Sequence, residues 1–297
     1  MTRPLVILGA PSNIGIRPYD DGVTRGLDRA PAVLREELSE RRLRSRDMGD
    51  VLPPPYRDYV RTPGRARNED SVIAYSRALA DRIAAATRGD AFVLVLGGDC
   101  SIVLGNLLGV RRREKPVGLV YVDAHADFAT PQESRTGSVA SMCLALAVGR
   151  GETPLARLDD EPLVRPDDVV LIGRRDHAEP WYGHAALEAT PILDLPHREV
   201  VSRGLARTAA VALERLTRPA GGFWIHLDAD VFDPAVVPAV DSPVPGGLSL
   251  EQAVVLLTPL VRHPRARGLE LTIYDPSLDS DRGSAARLAE FLSQILS

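Results

Sequence analysis

Two short stretches hold most of the residues able to do acid–base or metal chemistry. In "VYVDAHADFATP" (120–131), Asp123, His125 and Asp127 are spaced i, i+2, i+4, so an extended chain places them on one face. In "WIHLDADVFDP" (224–234), His226, Asp228 and Asp230 repeat the device. Ligands of an open parallel sheet bind beyond the carboxyl ends of its strands. If these two strands are neighbours, four aspartates and two histidines converge there. Two carboxylates roughly 4 Å apart repel by about 4 kcal/mol at an effective dielectric near 20. Protonation relieves that repulsion; so do divalent cations. Two of them balance four carboxylates and leave room for a bridging hydroxide. Oxygen-rich ligation with one or two imidazoles suits Mn²⁺ better than Zn²⁺. Either stretch alone also reads as a solvated loop rich in turn-forming aspartates. The pair, each fused to an apolar strand, favours the metal site.

The elements that must hold these residues are visible as short apolar, β-branched runs: 5–10, 92–96, 117–122, 169–173, 223–230 and 269–274, with weaker candidates at 191–195 and around 47–51. Near-continuous apolarity fits strands buried on both faces, as in a parallel sheet. Helical segments alternate with them. Asn68 is a candidate N-cap and Gly89 a candidate C-terminal stop for a helix carrying Val72, Tyr75, Leu79 and Ile83 on one stripe. Ser249 and Gln252 have capping-box spacing, and 205–216 and 284–296 also carry helical stripes. This alternation, with no linker or repeat, predicts one doubly wound α/β domain over 1–297. The Pro- and Arg-rich stretch 52–68 and residues 128–139 read as long loops.

Bulk composition excludes several classes. The chain has 297 residues, 44% hydrophobic and 26% charged, with a net charge of −4, so nothing marks a nucleic-acid or membrane surface. The basic run 111–115 fits a solvated helix end. The N-terminal apolar run is too short for a signal peptide, and two cysteines, Cys100 and Cys143, make no disulfide framework. A cytoplasmic protein is expected.

Further motifs complete a pattern. "LVILGAPSNIG", "GVTRGLDRAPAVLR", "GGDCS", "DAHAD", "HLDADVFDP", "PVPGGLS" and "GLELTIYDPSLD" together resemble the arginase–agmatinase–formiminoglutamase family, the ureohydrolases, along nearly the whole chain. The resemblance implies an eight-stranded parallel sheet, a dinuclear Mn²⁺ centre, a symmetric homo-oligomer, and hydroxide attack on an amidine or guanidine carbon of a small molecule. It implies that Asp123 and Asp228 bridge two metals, that Asp127 serves the first, and that His125 and Asp230 serve the second. The remaining ligand to the first metal is the histidine of GGDHS in the family; here it is Cys100.

Departures from the family bear on mechanism and substrate. His226 replaces a serine two residues before bridging Asp228. We expect a compensated swap, in which His226 supplies the missing imidazole and Cys100 is a weak ligand or a neighbouring group. Direct thiolate ligation, drawing softer metals, is the rival, and a satisfied core histidine is the plain alternative for His226. By the same resemblance, the family's proton-shuttling histidine falls at Ala140 and its guanidinium-gripping glutamate at Ile273. Ala129 and Ala178 fall where arginases hold the amino acid, so plain L-arginine is not the expected substrate. Asp127 is then the candidate proton carrier. Candidate substrate contacts are Ser134, Arg135, Thr136, Arg174, His177, Glu270 and Tyr274, with Glu179, Trp181 and Tyr182 near the mouth; the arginines equally suit rim salt bridges. A branch of the family with cysteine in this position hydrolyses Nω-hydroxy-arginine, which makes a hydroxyguanidine a candidate substrate. A non-catalytic paralogue that keeps its metal site, and a formimino or amide hydrolase, are the competing expectations.

Overall fold

The apolar runs become eight strands: β1 (Leu5–Ala10), β2 (Ser45–Asp50), β3 (Phe92–Gly97), β4 (Gly118–Val122), β5 (Val169–Ile172), β6 (Leu193–Leu195), β7 (Phe223–Asp228) and β8 (Ala266–Thr272). All pair in parallel, in the order β2-β1-β3-β8-β7-β4-β5-β6. The computed structural model describes residues 3–41, 43–57, 61–178, 183–218 and 221–297. β3, β4 and β7 are buried at every position, the expected result of helices on both faces; edge strand β2 is largely exposed.

The helices are α1 (Ala30–Ser39), α2 (Glu69–Ala86), α3 (Ile102–Arg111), α4 (Cys143–Ala147), α5 (His184–Glu188), α6 (His197–Arg203), α7 (Leu205–Leu216), α8 (Leu250–Arg262) and α9 (Gly283–Leu296). On one face α2 packs on α3 and α3 on α4; on the other α1, α9, α8 and α7 form a row. The Ser249–Gln252 capping box starts α8 as expected. Asn68 takes the N-cap position of α2 as expected, but its side chain makes no capping bond. Its backbone is left-handed, at φ +50°, and its side-chain amide donates 3.0 Å to the Ile14 carbonyl, tying α2 to the turn after β1.

One crossover creates the site. After β3 the chain forms α3 and returns as β4 three positions away, and β8 and β7 later fill the gap. β4 and β7 are therefore neighbours, with Val122 opposite Leu227, so Asp123 and Asp228 emerge side by side. β7 pairs with β8 in a register that sets His226 beside Glu270. β8 stops at Thr272, two residues short of the expected run's end at 274, because Ile273 takes φ +66°. A β-branched side chain in that region is costly and persists only where its surroundings force it.

Candidate metal centre

The turn after β3 is fixed by backbone contact and one carboxylate. A Cβ on Gly98 would lie 1.8 Å from the Ser12 carbonyl, so only glycine permits this approach to β1. Asp99 then straps the two turns. Its Oδ2 accepts from the Ser12 hydroxyl at 2.6 Å and the Gly15 amide at 3.1 Å, and its Oδ1 accepts from the Ser101 amide at 2.9 Å. Cys100 is thereby aimed at the ends of β7 and β8. Its thiol donates 2.9 Å to Asp228 Oδ2 and lies 3.6 Å from the Thr272 hydroxyl.

The six residues of the two acidic stretches meet, and all are buried. Asp123 Oδ1 accepts from the His125 amide at 2.7 Å, and Asp228 Oδ1 from the Asp230 amide at 2.8 Å. Each aspartate therefore uses one oxygen to shape its own turn. Asp230 ties the strands together, accepting from the Ala124 amide at 3.1 Å and lying 2.8 Å from His125 Nδ1. Asp127, at φ +47°, turns back so that Oδ2 accepts from the Tyr121 hydroxyl at 2.6 Å.

His226 sits one level deeper. Nδ1 is 2.6 Å from Glu270 Oε1, while Asn106 on α3 donates to Glu270 Oε2. A carboxylate accepts only, so Nδ1 carries the proton and the Nε2 lone pair is free. Nε2 has no hydrogen-bond partner and points at the cluster, 3.9 Å from Asp123 Oδ2, which is also unpartnered. Tyr121 stacks on the imidazole, with centroids 4.1 Å apart. Cys100, His226 and Asp228 thus form one group able to hold an ion, and Asp123, His125 and Asp230 a second.

Electrostatics strain this arrangement. Burial, then Asp230, raises the Asp123 pKa to about 6. Burial and neighbouring carboxylates push Asp127 and Asp228 well above the usual carboxylate range. Burial also opposes ionisation of Asp230, but His125 and the Ala124 amide hold it below that range. Burial, and then Asp228, push the Cys100 thiol up, in keeping with its hydrogen bond to Asp228. Two unpartnered buried donor atoms aimed into an oxygen-rich cluster of like charge fit hard divalent cations.

A cavity of about 240 Å³ opens over the cluster, walled by Ile16, Arg17, Arg25, Thr136, Ser138, Ala140, Ser141, Asp241, Ser242 and Ile273. Ala140 and Ile273 face it, at the positions where the resemblance places the shuttle histidine and the anchoring glutamate. Arg25 donates 2.7 Å to Asp241. Of the expected substrate contacts, Thr136 lines this cavity, and Ser134, Arg135 and Thr136 line an adjoining outer one. Four others lie elsewhere. Arg174 is buried between Asp194, at 2.7 Å, and Asp176, at 3.3 Å, and His177 leans on it with Nδ1 3.1 Å from Nη1. Glu270 is wholly buried beneath the cluster because the β7–β8 register pairs it with His226. Tyr274 follows the left-handed Ile273 and donates 2.8 Å to Asp279, beside the start of α9. Glu179, Trp181 and Tyr182 lie outside the described residues.

Sequence reasoning passed over Asp99, Asn106, Tyr121 and Arg17. Two of them carried a signal. Tyr121 shares the alternation of Asp123, and Asn106 is the lone polar residue within the apolar run 102–110.

The model of the Arginase family matches residues 3–296. Arginase from Bacillus subtilis is 28% identical, with 100% of this chain and 98% of that protein covered; arginase from Bacillus caldovelox is 29% identical, with 97% and 95% covered. The crystal structure of the Bacillus caldovelox arginase superimposes with a TM-score of 0.86 at 27% identity, covering 100% of this chain and 99% of that one. With its sheet order, paired acidic strand ends and match from one end to the other, the chain belongs to the arginase family.

Proposed function

We propose that the chain is a Mn²⁺-dependent hydrolase of a linear C–N bond in a guanidino, hydroxyguanidino or related amidine compound. One observation carries the proposal: four aspartates and two histidines are buried in one cluster, with Asp123 Oδ2 and His226 Nε2 unpartnered. Asp123 in one group of donors and Asp228 in the other would, as the family resemblance implies, be shared by two ions. His125 and Asp230 would complete one; His226 and Asp127 would complete the other, with Cys100 donating to Asp228 beside it. Bound divalent cations would neutralise the carboxylates and make water a nucleophile at neutral pH.

The chain's own residues do the rest. Glu270, held by Asn106, keeps the proton of His226 on Nδ1, as partners behind metal-bound imidazoles do. Asp127 faces the cavity, and its Tyr121 hydrogen bond leaves Oδ1 for a proton in transit. Asp127 is accordingly the proton acceptor, and the leaving amine receives that proton. Apolar Ala140 and Ile273 offer no charge to a guanidinium, which favours less basic electrophiles such as hydroxyguanidines. The same two residues support the competing reading of a metal-holding paralogue without activity. The test is release of urea, hydroxyurea, formamide or ammonia across an amidine panel, with and without Mn²⁺, alongside metal content. Turnover that needs Mn²⁺ supports the hydrolase; silence at full metal loading selects the paralogue.

A further inference from the structure

We propose that Asp176 is a positioning residue for the metal centre, holding the turn that assigns His125 and Asp127 to different ions; this rests on the metal-hydrolase reading above. A fully extended chain would keep Asp123, His125 and Asp127 on one face. Here the chain bends at Ala124 and His125 and takes φ +47° at Asp127. His125 therefore reaches Asp230, while Asp127 turns back to Tyr121. Ala126 lies between the two, and its amide donates 2.8 Å to Asp176 Oδ2. The Ala124 and His125 amides are held by Asp230 and Asp123, members of the cluster itself. Asp176 holds the turn from outside the cluster, beyond the end of β5.

Asp176 is itself locked. Its side chain is fully buried, and Oδ1 accepts from Arg174 Nη1 at 3.3 Å. Asp194 of β6 clasps that guanidinium through Nε at 2.8 Å and Nη2 at 2.7 Å. His184, the first residue of α5, lies 3.0 Å from Asp176 Oδ2. The neighbouring Arg175 serves the other acidic loop. Its amide donates 2.8 Å to the Ala124 carbonyl. Its guanidinium reaches across the end of β4 to the Asp230 carbonyl at 2.8 Å and the Val231 carbonyl at 3.2 Å. Two consecutive residues after β5 thus hold both metal loops. Groups that orient metal ligands without touching the ion tune its affinity.

Three variants test the assignment. Asp176→Ala removes the acceptor, and Asp176→Asn keeps an oxygen for the Ala126 amide. Asp194→Asn weakens the ion network behind Arg174 but leaves the Ala126 bond, so it controls for lost stability. Calorimetry of Mn²⁺ binding to metal-stripped protein, electron paramagnetic resonance of the loaded pair and denaturant titration are read together. Asp176→Ala weakens Mn²⁺ binding about tenfold or more and reduces the spin coupling between the ions. Asp176→Asn restores most of both, and Asp194→Asn loses stability at near-native Mn²⁺ affinity and coupling. Native affinity and coupling in Asp176→Ala, or an equal loss in Asp194→Asn, overturns the proposal. Hydrogen exchange in the metal-free native chain needs no variant to fold: the Ala126 amide is protected, and free exchange there overturns the proposal too. None of these readouts requires turnover. Coupled ions that respond to Asp176→Ala, without hydrolysis of any guanidine, keep the positioning role and remove the hydrolase. Hydrolysis with unchanged Mn²⁺ affinity in Asp176→Ala does the reverse, and a native chain that binds no Mn²⁺ overturns both.

Discussion

The two halves of the cluster are built from the same device and completed differently. In one half, Asp123, His125 and Asp230 are neighbours along strand-end loops, and the imidazole reaches sideways to the carboxylate at 2.8 Å. In the other, Asp228 is met by a thiol from the β3 turn and by an imidazole rising from inside the sheet, backed by Glu270 and Asn106. The first half depends on loops; the second depends on strand register. A histidine at 226 works only because β8 presents a carboxylate at the same level and β4 an aromatic face. An imidazole set inside a strand is thus held by three other residues, Glu270, Asn106 and Tyr121.

The strongest way to break the comparison is to remove what both halves share. On the proposed function Asp228 would be shared by both ions, so Asp228→Asn should lower bound Mn²⁺ from two ions per chain to one or none and reduce turnover by at least about 10³-fold. Elemental analysis beside rate measurements checks this; full metal content in the variant would mean that Asp228 bridges nothing.

Next come the residues that distinguish the halves. His226→Ala should lose one ion of the two and about 10²-fold in rate, whereas Cys100→Ala should keep both ions. His226→Ala also leaves Glu270 buried with a missing partner, which costs about 2–3 kcal/mol in the metal-free protein, read by denaturant titration. If Cys100→Ala loses the ion and His226→Ala keeps it, the thiol is the ligand and the roles reverse. A finer cut is Glu270→Gln, which keeps the shape but not the charge behind the imidazole. Mn²⁺ affinity should fall about 10- to 100-fold, with Asn106→Ala weaker in the same direction; unchanged affinity in Glu270→Gln would detach Glu270 from the metal.

How far the residues alone announced this molecule follows from which interactions are local. The parallel sheet, the capping box and the acidic strand ends are written in short-range patterns, and each is present. Glu270 reads in sequence as a substrate contact, because its true partner depends on the β7–β8 register, a long-range property. A regular strand would carry Tyr274 into the pocket, and the left-handed turn at Ile273 sends it to Asp279 instead. Arg174 resembles a free cation in sequence and is a buried strut between two aspartates in space. Arg17 shows no local pattern at all; its position depends on how the turn after β1 folds against the loop carrying Thr136.

The smallest effect sets the buried cluster against its rim through opposite responses to pH. In metal-free protein, burial raises Asp123 from its ordinary 3.8 to about 6. The native state then holds the proton more tightly than the unfolded chain, so stability should fall as pH rises from about 4 to about 6. Mn²⁺ should abolish that slope by replacing the proton. At the rim, hydrogen bonds from Arg150, at 2.6 and 2.7 Å, lower Glu133 from 4.5 to about 2. Its contribution is present above about 4.5 and is lost as pH falls toward 2, the reverse sign. Glu133 is about half exposed, so solvent screening limits that contribution to about 1 kcal/mol at most, a melting shift of ~2 °C. Thermal melts of the native chain and Glu133→Gln, from pH 2.5 to 7 with chelator and then with Mn²⁺, read both slopes in one series. A slope at pH 4–6 that survives saturating Mn²⁺ would show that the raised carboxylates lie outside the metal site, and the two halves would then share no ion.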